Sequence, residues 1–227
     1  MSDHPPASDH SSDLPSTPSH SSHNAPDPTQ TPREPRLTSS TAKLTSLKIK
    51  LRKSIRQFPD FPRAGILFED IFPLFADPSV HEALISALEL HILTQSGLAD
   101  NKPDIIVGLD ARGFLFGTTL ALRLGAGFVP VRKRGKLPGE CVEAAYEKEY
   151  GTDYFQMQKD SIKPGQKVII VDDLIATGGS AAAAGSLVKQ LGGNLLAYIF
   201  IIELDFLKGR DKLHAPAYTL LNSQGED

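Results

Sequence analysis

The first apolar pattern of the chain has hydrophobic residues at steps of three and four, the spacing of one face of an α-helix. It stops at Pro59, a residue that cannot continue a helix. The pattern therefore predicts an amphipathic helix from about Lys43 to the residue before Pro59. Its apolar face would consist of Leu44, Leu47, Leu51, Ile55 and Phe58.

Two further segments follow before the pattern changes. Residues 58–75 interleave prolines with aromatic residues, which predicts an ordered but irregular segment. Residues 78–97 return to helical periodicity. Ser79 and Glu82 have the spacing of a capping box, and Gly97 is a typical helix end, so we expect a second helix between them.

From Asp104 onward, short apolar runs alternate with helical patterns. The runs occupy residues 104–109, 127–132, 167–173 and 194–204. This alternation predicts an α/β fold with an open, mainly parallel sheet flanked by helices. Ligands of such sheets bind beyond the carboxyl ends of the strands. The segments "LDARG", "RKRGK" and "DDLIATGGS" lie at such ends and are expected to converge.

Residues 1–42 are rich in Ser, Pro, Thr, His and Asp and contain almost nothing to bury. We expect a disordered tail here, followed by one domain at residues 43–227. The tail carries four of the seven histidines, at irregular spacings and without cysteine. A solvated tail accounts for them without a metal; they are His4, His10, His20 and His23.

Composition narrows the class of protein. The chain has 227 residues, of which 40% are hydrophobic, enough for one core. A net charge of −3 gives no reason to expect nucleic acid or an anionic membrane as partner. The single cysteine, Cys141, suits a reducing compartment. We find no signal-peptide pattern, and no apolar run approaches the roughly 20 residues of a membrane span. We therefore expect a cytoplasmic protein, with a nuclear location as the alternative.

Asp172 and Asp173 stand where the third apolar run ends. On their own, two adjacent acids could equally cap a helix or accept hydrogen bonds within a loop. The following "ATGGS" adds hydroxyls, two glycines and a helix start, whose free N–H groups suit a phosphate. Carboxylates beside a phosphate cradle predict a phosphorylated sugar, whose hydroxyls would donate to the acids. The chain lacks G-x-x-x-x-G-K-S/T and G-x-G-x-x-G, which disfavours P-loop nucleotidases and dinucleotide folds.

The stretch "VIIVDDLIATGGS" resembles the signature of the type I phosphoribosyltransferases, which bind 5-phosphoribosyl 1-pyrophosphate. The segments "FPDFPRAGILFEDI", "GLDARGFLFG", "VRKRGKLPGE", "YEKEYG" and "ELDFLKGR" are similar, in this order, to the adenine phosphoribosyltransferases. The resemblance covers about Lys43 to Leu221. It implies that adenine and phosphoribosyl pyrophosphate give AMP and pyrophosphate, with Mg²⁺ held mainly through pyrophosphate. It also implies a homodimer and a small N-terminal hood over the base site.

The resemblance assigns roles around the sugar. Asp172 and Asp173 would hold the ribose hydroxyls. Arg112 would bind pyrophosphate and act in catalysis, at a tight turn that in the family often contains a non-proline cis peptide, here Asp110–Ala111. Many relatives have serine where this chain has Ala111, so the chain lacks a hydroxyl there, while the backbone contacts of Asp110 and Ala111 with pyrophosphate that the resemblance implies are unaffected. The 5′-phosphate would be cradled by Ala176, Thr177, Gly178, Gly179 and Ser180.

The basic run that follows the second strand is open to two interpretations. A charge run is usually a solvated loop, whereas the resemblance implies pyrophosphate binding, partly across the dimer, by Arg132, Lys133 and Lys136. Arg134 is not assigned this role. Residues 136–151 then predict a long, mobile lid over the site.

The adenine site rests on resemblance. Glu149, with Tyr150, would meet the N7/N9 side of adenine and help to handle its proton. Phe68 would contact the ring, although unaided it is an ordinary core residue, and backbone groups of Leu67 and Glu69 would read its edge. Some relatives have Arg at position 69, so a side-chain role there would alter specificity. Leu174 and Leu204 would line the other side.

Two alternatives to adenine transfer remain at this point. One is a related phosphoribosyltransferase for another purine base. The other is a non-catalytic regulator that senses phosphoribosyl pyrophosphate. Such regulators generally carry a DNA-binding module, and the tail shows no helix-turn-helix pattern.

Overall fold

A seven-stranded sheet with helices on both faces forms the centre of the fold. A computed structural model describes residues 36–94, 98, 100–147 and 151–221. The elements are α1 (Arg36–Ser54), β1 (Arg56–Pro59), β2 (Leu67–Asp70), α2 (Pro73–Ala76), α3 (Pro78–Thr94), β3 (Ile105–Leu109), α4 (Arg112–Leu124), β4 (Gly127–Lys133), β5 (Cys141–Glu147), β6 (Thr152–Gln158), β7 (Lys167–Ile175), α5 (Gly179–Gln190), β8 (Asn194–Glu203), two short 3₁₀ helices (Asp205–Leu207 and Gly209–Lys212) and β9 (Ala217–Leu221).

The strand order of the large sheet is β5-β6-β4-β3-β7-β8-β9. The strands β4, β3, β7, β8 and β9 run parallel, while β6 pairs antiparallel with both β4 and β5. This confirms the predicted open, mainly parallel sheet, and all four predicted strands belong to it. The two-stranded sheet β1-β2 is separate.

Two hydrophobic cores lie on opposite faces of the sheet. Successive side chains of a strand point to opposite faces. In β7, Ile169 and Val171 therefore join the core that holds α3 and α4, while Val168 and Ile170 join the core that holds α5. Burial on both faces explains why the central strands read as continuous apolar runs.

The first helix differs from its predicted bounds at both ends. It begins at Arg36, before Lys43, and it ends at Ser54. The prediction that it continues to Phe58 is wrong, because residues Arg56–Pro59 pair antiparallel with β2 and satisfy their backbone groups there. The tail was predicted for residues 1–42; residues 36–42 belong instead to α1, and residues 1–35 lie outside the described residues. The segment predicted as irregular contains β2 and α2.

The start of α3 also differs from the prediction. Asp77 Oδ1 accepts hydrogen bonds from the backbone N–H groups of Ser79 (2.7 Å) and Val80 (3.3 Å). Asp77 is therefore the capping residue, and the predicted capping box of Ser79 and Glu82 is wrong. Glu82 instead pairs with Arg123 of α4 at 2.7 Å. The predicted helix end at Gly97 lies outside the described residues.

The prediction of a loop at residues 136–151 is wrong for Cys141–Glu147. These residues form β5, which pairs with β6 along its whole length. An edge strand with one exposed face lacks the apolar run that marked the central strands. Among the helices that the structure describes, none is long and apolar enough to cross a membrane.

His91 of α3 makes the stability of the fold depend on pH. The residue is 5% exposed, and burial, with a smaller contribution from Lys48, lowers its pKa to about 4. An unfolded histidine titrates near 6.5. Between these values the unfolded chain binds a proton that the folded chain does not, so folding stability decreases as the pH falls.

We predict that the free energy of unfolding falls by up to about 3 kcal/mol between pH 7 and pH 4 through this residue. His91→Phe should reduce the pH dependence by a similar amount, because the buried group no longer titrates. Urea unfolding of both proteins across this range measures the difference. Equal pH slopes would contradict the assignment.

Candidate active site

The carboxylates predicted at the end of β7 lie beside the start of α4. Asp173 is 4% exposed, and its Oδ2 forms an ion pair with Arg112 Nε at 2.9 Å. Asp172 is half-buried, and its Oδ1 accepts from the backbone N–H of Asp173 at 2.9 Å. Since β3 and β7 are neighbours, the structure brings Arg112 and both acids together as expected.

Burial raises the pKa of both carboxyls. For Asp172, the negative charge of Asp173 is the next cause of the rise. For Asp173, the guanidinium of Arg112 opposes the effect of burial. Two like charges thus share one cation in a poorly solvated position. Hydroxyl groups that donate to these oxygens would favour their charged forms, which is the chemistry that a sugar offers.

The loop after β7 forms an anion-binding helix start. Gly178 has φ +76° and is the N-cap of α5, with no side-chain hydrogen bond capping the helix. The first N–H groups of a helix lack intrahelical partners and favour anions. The loop and the acids enclose a cavity of about 180 Å³. Its lining consists of Arg112, Asp172, Asp173, Leu174, Ile175, Ala176, Thr177, Gly178, Gly179, Ser180, Ala181 and Phe200.

A second loop, after β8, packs closely against the loop after β7. A Cβ atom added to Gly178 would lie 2.1 Å from the carbonyl oxygen of Gly209, and one added to Gly209 would lie 2.2 Å from that of Ala176. Both contacts require glycine. The sequence analysis assigned no role to Gly209, because a contact between segments so far apart in the chain leaves no local pattern.

The turn between β3 and α4 contains the expected cis peptide, Asp110–Ala111, which is thereby confirmed. Asp110 Oδ2 accepts a hydrogen bond from Arg132 Nε at 3.1 Å. Arg132 also donates through Nη1 to the carbonyl oxygen of Lys136 at 3.1 Å. The ends of β3 and β4 are therefore joined next to Arg112.

The basic turn after β4 presents some of its cations to solvent. Lys133 and Lys136 are exposed. Arg134 instead pairs with Glu143 of β5 and lies over the ring of Tyr154, 3.6 Å from its centroid. Arg134 is thus bound to the antiparallel edge of the sheet.

Comparison with known proteins identifies the family. Residues 79–224 match the phosphoribosyl transferase domain. The chain is 62% identical over 181 residues to the adenine phosphoribosyltransferase of Yarrowia lipolytica, covering 80% of this chain and 98% of the relative. The crystal structure of the Saccharomyces cerevisiae adenine phosphoribosyltransferase, in complex with an imino-altritol bisphosphate and adenine, superposes with a TM-score of 0.75. It is 60% identical and covers 78% of this chain and 99% of that one.

The chain belongs to the adenine phosphoribosyltransferase family. More distant members share the fold: the enzyme of Trypanosoma brucei, in complex with AMP, pyrophosphate and ribose-5-phosphate, has a TM-score of 0.69 at 27% identity, covering 78% of this chain and 79% of that one.

The residues predicted to contact the base lie in two places. Leu174 lines the cavity, and the N–H of Leu204 donates to the carbonyl oxygen of Ile175 at 2.9 Å, at the same strand end. Leu67 and Phe68 lie on β2, where the ring of Phe68 meets Phe61 edge to face at 5.1 Å. Within the described part of the chain, the cavity lining includes no residue of this hairpin.

Glu69 turns its side chain away from Phe68. Neighbouring strand residues point to opposite faces, and Glu69 Oε1 accepts a hydrogen bond from Arg52 of α1 at 2.6 Å. Its side chain is 5% exposed. The side chain of Glu69 is therefore committed to α1, on the face of the strand opposite Phe68.

Glu149 and Tyr150 lie outside the described residues. Glu147, the last described residue before them, ends β5 beside the loop after β7: a Cβ atom added to Gly179 would lie 3.7 Å from the carbonyl oxygen of Glu147. The end of β5 is therefore next to the start of α5.

We predict that Gly178→Ala reduces kcat/KM for phosphoribosyl pyrophosphate by roughly a hundredfold, since misplacing a binding group by about 1 Å can cost that much. The added methyl group would push Gly209 and the loop apart. Gly165→Ala is the matched control, because Gly165 also has a left-handed φ (+82°) but nothing within 4 Å of its Cβ position. Equal kinetics of the two variants would refute the role of the contact.

Proposed function

We propose that the chain transfers the 5-phosphoribosyl group from phosphoribosyl pyrophosphate to adenine and releases AMP and pyrophosphate. One observation carries the proposal: the buried carboxylate of Asp173, the half-buried carboxylate of Asp172 and an anion-binding helix start share a single cavity. This arrangement fits a phosphorylated sugar, and the relatives named above act on adenine by their names.

In this proposal, each end of the sugar has its own binding groups. Asp172 and Asp173 accept hydrogen bonds from the ribose hydroxyls, and the backbone N–H groups of residues 176–180 hold the 5′-phosphate. Fixing both ends of the ribose orients the anomeric carbon between pyrophosphate and base. Orientation of this kind lowers the barrier without any covalent contribution from the protein.

The leaving group is bound by cations at the ends of β3 and β4. Arg112 and Arg132 are held in place by Asp173 and Asp110 respectively, and exposed Lys133 and Lys136 complete the set. As the bond from the sugar to pyrophosphate breaks, negative charge grows on the leaving group and positive charge on the ribose. Preorganised cations stabilise this separation.

A magnesium ion is compatible with these residues. In this proposal Mg²⁺ is held mainly through the pyrophosphate, since substrate phosphates supply much of its coordination in such sites, while Asp172 and Asp173 remain assigned to the ribose hydroxyls. In the part of the chain that the structure describes, no group of three or more His, Cys, Asp or Glu residues could hold a metal. The ion would neutralise part of the charge on pyrophosphate.

The base would lie between the β1–β2 hairpin and the end of β7. Phe68 would contact the ring, with backbone groups of Leu67 and Glu69 at its edge and Leu174 and Leu204 opposite. Glu149 and Tyr150 would reach the N7/N9 side, a position that the approach of Glu147 to Gly179 supports. Glu149 would accept the proton that adenine loses when its N9 bonds to the sugar.

Assembly and location belong to the same proposal. We expect a homodimer in which Lys133 and Lys136 reach partly into the neighbouring site. We also expect a cytoplasmic protein, with which the single cysteine, Cys141, is compatible.

The function is tested by incubating the protein with Mg²⁺, phosphoribosyl pyrophosphate and either adenine, hypoxanthine, guanine or xanthine. We predict that adenine gives AMP with one equivalent of pyrophosphate, and that the other bases react far more slowly. Mass spectrometry of the nucleotide identifies the product. IMP as the main product would assign the chain to another purine, and no nucleotide from any base would favour a regulator.

The ribose site is tested by Asp172→Asn. Loss of a charged acceptor costs about 1.5–3 kcal/mol, so kcat/KM for phosphoribosyl pyrophosphate should fall roughly tenfold to a hundredfold. The melting temperature should not fall, because the substitution removes a repulsive, desolvated charge. Asp160→Asn, at an exposed turn, is the control. Unchanged kinetics for Asp172→Asn would refute the hydroxyl-binding role.

A further inference from the structure

We infer that Arg210 is a positioning residue for the 5′-phosphate loop and acts through its neighbour Gly209. The inference rests on the proposed function, since that function assigns the phosphate to this loop. Arg210 itself does not line the cavity. Its side chain is instead committed to groups at the ends of β8 and β9.

Arg210 uses every nitrogen of its guanidinium. Nε donates to both carboxylate oxygens of Glu203, at 2.6 and 2.7 Å, and Nη2 also binds Glu203. Nη1 donates to the carbonyl oxygen of Ala217 at 2.5 Å, and Nη2 donates to Thr219 Oγ1 at 2.7 Å. Thr219 in turn donates to Glu203 at 2.9 Å. The network therefore fixes Arg210 to two neighbouring strands.

The carboxylate in this network depends on Arg210. Glu203 is 7% exposed, and the hydrogen bonds from Arg210 are the first cause that lowers its pKa. Removing the guanidinium would leave a buried charge without its cation, which is strongly destabilising at that place. The segment that carries Arg210 would consequently move.

This movement would reach the phosphate loop directly. Gly209 is buried against the loop, close enough that neither Gly209 nor Gly178 has space for a Cβ atom. The loop has no side-chain cap at Gly178, so the backbone of Gly209 is the support that limits its position on this side. Arg210 thus sets the geometry of the phosphate-binding N–H groups without touching the substrate.

The experiment compares Arg210→Gln, Arg210→Lys and Gly209→Ala with the wild-type protein. For Arg210→Gln and Gly209→Ala we expect KM for phosphoribosyl pyrophosphate and the Kd of ribose 5-phosphate, measured by calorimetry, to rise roughly tenfold. KM for adenine should stay within about twofold. The KM and Kd values of Arg210→Lys should lie between those of the wild-type protein and Arg210→Gln, since lysine keeps the charge but not the planar set of donors.

Arg123→Gln is the matched control. Arg123 also binds both oxygens of a glutamate, Glu82, at 2.7 and 2.8 Å, but between α3 and α4. The variant Arg123→Gln should therefore leave both KM values unchanged.

Equal changes in both KM values, or a lower melting temperature with unchanged KM values, would show that the network only supports the fold and would overturn the inference. If Arg210→Gln does not fold, Gly209→Ala and Thr219→Val decide by the same measurements. A wild-type protein without transferase activity would refute the proposed function, whereas binding of ribose 5-phosphate would still test Arg210.

Discussion

The parallel pairing of β3 with β7 is the constraint on which the site depends. Gly108 lies opposite Val171 in this pairing, so the turns that follow the two strands emerge side by side. The contact is close: a Cβ atom on Gly113 of α4 would lie 2.7 Å from the carbonyl oxygen of Val171. The ion pair of Arg112 with Asp173 follows from this register. A shift of one residue would turn the side chains of β7 to the wrong faces.

The ion pair itself is not what stabilises the fold. Asp172 and Asp173 are desolvated beside each other, and their raised pKa values report a local cost. Burial of β3 and β7 between two hydrophobic cores supplies the offsetting stability. The site is therefore an unfavourable electrostatic arrangement held by favourable packing, and hydroxyl groups of a ligand would reduce that cost when they bind.

The sequence predicted those parts of the fold whose physics is local. Strands β3, β7 and β8 were recognisable because both of their faces are buried.

Strands β5 and β6 have exposed positions and were missed. Phe58 fits the helical spacing of α1 although it belongs to β1. Asp77 and Ser79 are both good capping residues, and spacing alone did not rank them. The acids, Arg112 and residues 176–180 line one cavity, and their convergence was predictable because they follow strands directly. The contact of Gly209 with the loop was not, because it depends on how two distant segments pack.

Backbone and side-chain groups contribute different parts of this site, and the difference determines which substitutions it can tolerate. In the proposed function the ribose end depends on two carboxylates, so a substitution that replaces one carboxylate oxygen there would alter binding without moving the chain. In the same proposal the phosphate end depends on backbone N–H groups, which every residue except proline supplies. The side chain at position 177, where Thr177 is exposed, should accordingly matter less for phosphate binding than the shape of the loop. That shape is fixed by the approach of Gly209 to Gly178, and therefore by the remote network that holds the β8–β9 segment.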